Sequence, residues 1–235
     1  MHNSNDAQSL LAQARGRVPL PARQAVLRVL KCGRDLKREA RRQGFLTSAE
    51  LVATSMPLAR SFKTPLAVLD HALTLAPADG LIAEFGVYSG ATLQRISAHR
   101  PGAHGFDSFV GLPEDWVDSH RQGMFAVKRL PSVGDAELHV GWFDETVPEF
   151  LVTESGPAAF LHLDADLYSS TATVLTCFEE RIVTGTVLLF DEYFNYPSWQ
   201  QHEHRAFREF IERTNHAFDY IAYNSRGQQV AVQIR

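Results

Sequence analysis

The sequence predicts an α/β fold: a seven-stranded, mostly parallel sheet with helices on both faces, closed by an antiparallel hairpin. Three observations predict it. Short apolar runs recur between residues 80 and 194, stretches with helical spacing separate several of them, and residues 218–234 form two strand-like runs around a turn-prone "NSRG". With 235 residues, 45% of them hydrophobic, the chain can fill one sizeable core and is short for two.

The elements follow in order. From Pro21 to Ala40 the apolar positions Ala22, Val26, Val29, Leu36 and Ala40 recur at helical spacing among Arg and Lys, as an amphipathic helix requires. Two more helical segments are expected near 47–60 and 64–75, the second opening with Thr64 as N-cap and Pro65 in the first turn. Residues 1–75 are therefore read as a helical extension or lid, and residues 76–235 as the sheet domain. Residues 1–43 hold ten Lys or Arg against three acids, whereas the rest of the chain is acidic. Such an extension can pack on its own acidic body or on a partner subunit, so a homo-oligomer is a reasonable expectation. Nucleic-acid binding is disfavoured, because few aromatics are present to stack on bases. No run approaches the roughly 20 apolar residues of a membrane span, and the start lacks the apolar block of a secretory signal. A cytoplasmic protein without a membrane partner is expected. Cys32 and Cys177 lie far apart, outside any zinc-like spacing, and are read as reduced and structural.

The strands are expected at "GLIAEFGVY" (80–88), "HGFDSF" (104–109), "AELHVGWF" (136–143), "AAFLHLDAD" (158–166) and "TVLLFDEYF" (186–194), with the hairpin supplying two more. Seven strands ending in a hairpin, with a glycine-containing turn after the first, resemble the layout of the class I methyltransferases. In such open sheets ligands bind beyond the carboxyl ends of the strands.

The first strand runs into "EFGVYSGATL", Glu84 to Leu93, where Gly86 and Gly90 let the chain turn tightly and bring backbone N–H groups close to a ligand. The close G-x-G pair of the dinucleotide fingerprint is absent, so a pyrophosphate fits poorly. S-adenosylmethionine (SAM) fits better, since Glu84 can help hold its ammonium and sulfonium. Val87, Ser89 and Thr92 of the same turn complete this part of the expected site. Asp107, at the end of the second strand, is placed to accept hydrogen bonds from both ribose hydroxyls, with Ser108 beside it. At the third strand end, Phe143 or Trp142 is expected to cover the adenine, next to Asp144.

The segments "EFGVYSGATL", "GFDSFVGLPEDW", "GWFDETVP", "HLDADLYSST" and "LLFDEYFNYPSW" occur in an order that resembles the macrocin O-methyltransferase family over roughly residues 50–215. The resemblance implies a SAM-dependent, metal-dependent enzyme that methylates sugar hydroxyls of natural products. It implies a metal held by Asp164, Asp191 and Glu192. The chain departs from the family's usual Asp-Asp pair at Glu192, and reads "NYPSWQQHEHRAF" where better-known members differ.

Charge alone leads to the same carboxylates. Two apolar strands end in acids, at Asp164 and at Asp191-Glu192, with no adjoining Lys or Arg. Carboxylates about 5 Å apart at an effective dielectric of 20 repel by roughly 3 kcal/mol per pair. A hard divalent cation such as Mg²⁺ is the expected compensation, against the plainer alternative that each acid caps a helix. Asp166 is left outside the ligand set. Metal coordination would lower the pKa of an alcohol, and a base must take its proton. Asp164 is the first choice, by resemblance and position, and His204 the second, with His202 as its alternative. The acceptor is expected to be a small molecule.

Other readings compete. Asp164-Ala165-Asp166 is formally the D-x-D element of a metal-dependent glycosyltransferase, which leaves "EFGVYSG" and "GFDSF" unused. A nucleic-acid methyltransferase would use the basic extension, yet the chain has "DADLY" where an Asn/Asp-Pro-Pro-aromatic element is expected. A SAM-binding scaffold without chemistry is the third.

Overall fold

The computed structural model describes residues 35–117 and 120–235. The chain divides into two compact units, residues 1–43 and 44–235. Most of the helix expected from Pro21 lies outside the described residues. Helix α1 spans Leu36–Ser55, and Asp35 caps its start by accepting the Lys37 and Arg38 backbone N–H groups at 3.0 and 3.2 Å. The separate helix expected over 47–60 is corrected: α1 ends at Ser55, just before Met56-Pro57, where a residue preceding proline is disfavoured in helix. Residues Arg60–Phe62 form strand β1 instead. Helix α2 (Pro65–Leu75) starts as expected, the Thr64 side chain accepting the Ala67 N–H.

The remaining elements are β2 (Leu81–Phe85), α3 (Ala91–His99), β3 (His104–Asp107), β4 (Glu137–Val140), α4 (Phe143–Thr153), β5 (Ala158–Leu163), α5 (Tyr168–Cys177), β6 (Val187–Phe190), α6 (Glu203–Thr214), β7 (Phe218–Asn224) and β8 (Val230–Ile234). They build one eight-stranded sheet in the order β1-β7-β8-β6-β5-β2-β3-β4. β8 alone runs antiparallel, between β6 and β7. The count is eight rather than seven because β1 pairs parallel to β7 at the sheet edge. The fold class and the antiparallel hairpin are as expected.

β2, β5 and β6 are buried at every position, the signature of parallel strands covered on both faces. Alternation sends Ala83, Phe85, Leu161, Leu163 and Phe190 into a core with Val147 and Phe150 of α4, Val174 of α5 and Phe207 and Phe210 of α6. Ile82, Phe160, Val187 and Leu189 enter a second core with Val68 and Leu69 of α2 and Leu93 and Ile96 of α3. Glu84 and His162 share the side of Ile82 and Phe160. They are register partners on β2 and β5, and the only charged or titratable members of these three strands.

Candidate functional site

The carboxyl ends of β2, β3, β5 and β6 are laced together by backbone. Gly86 N–H donates to the Phe106 carbonyl, Asp164 N–H to Phe85 and Asp191 N–H to Leu163, each at 2.9 Å. Gly86 sits at φ 95°, and a Cβ there would collide with the Asp164 carbonyl oxygen. Only glycine lets the turn after β2 pass this close to the end of β5. Asp107 holds the turn from the other side. Its Oδ2 accepts the Val87 and Tyr88 N–H groups at 2.9 and 2.8 Å, and its Oδ1 accepts Phe109 N–H at 2.7 Å. The turn borders a cavity of about 560 Å³, walled by Tyr88, Phe125, Trp142 and Phe143 and floored by Asp164, Asp166 and Glu192.

The acids form two overlapping donor sets. Oxygens of Asp164, Asp166 and Glu192 lie within 4.8 Å of one another, and so do a nitrogen of His162 and oxygens of Asp164 and Asp191. Burial, then repulsion from Asp191, pushes Asp164 well above the carboxylate range, with His162 opposing. Burial and Asp191 push Asp166 up to about 7, opposed by His120. Glu192 is raised well above its usual range by burial and by Asp191, Asp164 and Asp166. For Asp191, burial acts upward but is outweighed by His162 and by Gln229, which donates to Oδ2 at 3.0 Å. Among the described residues the buried Glu192 Oε2 has no hydrogen-bond partner. Clustered, desolvated acids, one of them with an orphaned oxygen, fit a hard divalent cation, which replaces several hydrogen-bond donors at once.

Residues 83–193 match a family model described as a methyltransferase domain. This segment resembles a methyltransferase domain. The whole fold agrees: the calicheamicin methyltransferase CalS11 aligns with a TM-score of 0.58 and 20% identity over 99% of this chain and 93% of that one. The O-methyltransferase NovP aligns with a TM-score of 0.53 and 21% identity over 70% and 78% of the two chains. At these identities the likeness establishes the class I fold. A curated relative from Streptomyces olivaceus, 8-demethyl-8-(2,3-dimethoxy-alpha-L-rhamnosyl)-tetracenomycin-C 4'-O-methyltransferase, is 31% identical over 107 residues, 37% of this chain. The chain covers only 40% of that relative's length.

Within the matched segment, Gly86, Asp107, Ser108, Phe143, Asp144, Asp164 and Glu192 line the cavity. Glu84 does not. It is fully buried behind the turn, and its Oε1 lies 2.8 Å from His162 Nδ1, so direct contact with a ligand's cationic groups is corrected to a partnership with His162. Val87 is buried, and Ser89, Gly90 and Thr92 belong to the turn and the start of α3 without lining the cavity. Asp191 stands behind Asp164, in the set with His162, while Asp166 takes the place beside Glu192 that the sequence reading gave to Asp191. The reason is backbone: Asp166 adopts φ 61°, outside the extended geometry on which its placement rested.

His204 is the clearest correction. It packs against Trp199 and Tyr193 at ring distances of 4.7 and 5.0 Å and borders a separate pocket with Arg208 and Tyr220. Burial, then Arg208, lowers its pKa to about 4. His202 instead joins Trp116 and Tyr196. Two imidazoles bear on the acids instead: His162 on Asp164 and Asp191, and His120, from the β3–β4 connection where no motif marks it, on Asp166. Glu203 was missed as well. Completely buried at the start of α6, it accepts the Glu192 N–H at 2.9 Å and a backbone hydrogen bond from Ala165, tying the two acidic loops together. Its signal was a glutamate among the histidines of "QHEHRAF", which surface exposure explained equally well.

Proposed function

We propose that the chain is a SAM-dependent O-methyltransferase acting on a hydroxyl of a small molecule, a sugar or glycoside in the first place, with the help of a divalent cation. The observation that carries this reading is one cavity that joins the glycine turn after β2 to the acid floor after β5 and β6. The name of the Streptomyces olivaceus relative, a 4'-O-methyltransferase of a rhamnosyl tetracenomycin, supports a sugar acceptor. The glycosyltransferase alternative is not favoured, since Asp164 and Asp166 lie in a segment similar to a methyltransferase domain, and that similarity includes the segments the alternative would leave idle.

In this reading Gly86 and Asp107 shape the cofactor end, and Phe143 and Trp142 wall it. SAM supplies an activated methyl group, and a divalent cation supplies Lewis acidity toward an alcohol oxygen. Asp164, Asp166 and Glu192 would hold the cation and so fix where the acceptor hydroxyl lies. Asp164, common to both donor sets, is the proposed acceptor of the hydroxyl proton.

The test is S-adenosylhomocysteine formation with a panel of nucleotide-activated sugars and glycosides. EDTA should abolish turnover while calorimetry still shows SAM binding, and Mg²⁺ or Mn²⁺ should restore the rate. Asp164→Asn should stay inactive in excess metal. Full-rate methylation by the chelated protein would overturn the metal dependence.

A further inference from the structure

His162 is 1% exposed, next to the last residue of a buried strand, and its two ring nitrogens meet different surroundings. Nδ1 lies 2.8 Å from Glu84 Oε1, a pure acceptor when ionised, so Nδ1 carries the proton there. Nε2 faces the acids, and a metal ion bound there would displace any proton it carries. Among the described residues it has no hydrogen-bond partner, and Asp191 Oδ1 stands 3.9 Å away, too far for a hydrogen bond. Asp191 is turned this way because Gln229 occupies its Oδ2, and Gln229 is itself fixed by Asn224 at 2.7 Å. An orphaned imidazole nitrogen facing two carboxylates, with a carboxylate behind the opposite nitrogen, is the arrangement in which histidine binds a metal. The rear carboxylate fixes ring orientation and raises ligand basicity.

Resting on the metal-dependent reading above, we infer that His162 Nε2, Asp164 and Asp191 form an inner position for a divalent transition ion, adjoining the all-oxygen set of Asp164, Asp166 and Glu192. A nitrogen ligand changes ion preference. Mg²⁺ prefers oxygen and water, whereas imidazole suits Mn²⁺, Co²⁺, Ni²⁺ and Zn²⁺ increasingly well. Glu84, in the position where the sequence suggested a SAM contact, becomes the residue that orients this histidine.

One equivalent of Mn²⁺, added to metal-free full-length protein and read by electron spin-echo envelope modulation, tests the assignment without any assay of turnover. The expected result is an imidazole ¹⁴N modulation that disappears in H162Q, with a preference for Mn²⁺ over Mg²⁺ that falls at least tenfold in competition binding. The modulation should survive His104→Ala combined with His139→Ala, which dismantles the separate His104–Glu137–His139 cluster on β3 and β4. Should H162Q fail to fold, His120→Ala protein grown on ¹⁵N-histidine answers the same question through a changed modulation pattern, since the imidazole that acts on Asp166 is then absent. Bound Mn²⁺ without nitrogen coupling, or coupling that persists in folded H162Q, overturns the inner position and leaves the metal-dependent reading standing. No uptake of Mn²⁺ at all overturns both.

Discussion

His204 shows what a partly buried neutral imidazole does to stability. Its pKa in the folded chain, about 4, lies below the ordinary 6.5, so the unfolded chain takes up the proton first as pH falls. The contribution is intact above pH 6.5 and drains away toward pH 4, amounting to roughly 3 kcal/mol over that window. His204→Gln cannot titrate. Chemical denaturation should find it less stable than wild type at pH 7.5, through lost ring packing, with the gap narrowing by roughly 2–3 kcal/mol at pH 4.5. A gap independent of pH would mean that the imidazole ionises freely in the folded protein. The sequence put His204 near the acids because it follows them closely, but a helix face cannot be chosen from spacing when both His202 and His204 have aromatic neighbours. Glu84 was misplaced for a related reason. An acid near a strand end looks available to a ligand until the register sets it opposite His162.

Between elements, the coupling to watch is the one made by Glu203. One carboxylate of α6 receives N–H groups from the loops after β5 and β6, and so sets the distance between Asp164-Asp166 and Glu192. Removing such a supporting contact to a metal site commonly costs 10–100-fold in affinity. Glu203→Ala should weaken Mn²⁺ binding by about that much while leaving SAM affinity nearly unchanged, since the turn after β2 is held by Asp107 rather than by α6. Calorimetry of both ligands checks this, and equal losses for the two would show general loosening instead. At this scale the sequence was informative where chemistry and element coincide: an apolar run ending in an acid marks a strand end and a site together. It was silent where the pattern is too short. β1 is three residues with one partly buried phenylalanine, and no alternation distinguishes it from a loop.

For the whole molecule, the acid floor opposes folding. Like charges within 4.8 Å repel by roughly 3 kcal/mol at an effective dielectric of 20, and burial adds to this. Glu192, raised well above its usual range, contributes destabilisation that is absent at low pH and grows as pH rises through its unfolded value. Glu192→Gln should therefore raise the melting temperature of the metal-free protein at pH 7.5 by a few degrees, about 1–2 kcal/mol, and lose most of the stabilisation that the proposed cation site should give wild type in Mn²⁺. A destabilised Glu192→Gln with an intact metal response would remove Glu192 from the cation's ligands. The sheet order carries a different consequence, for the chain as it is made. β7 and β1 reach β6 only through β8, which is synthesised after both. At ordinary translation speeds the open side of β6 waits roughly 2–8 s for about 40 residues to emerge, presenting unpaired backbone and apolar side chains to other nascent chains. Three strands then join almost together, so a ribosome stalled just short of β8 would release a chain with its glycine turn and acid floor already assembled and a third of its sheet still unattached.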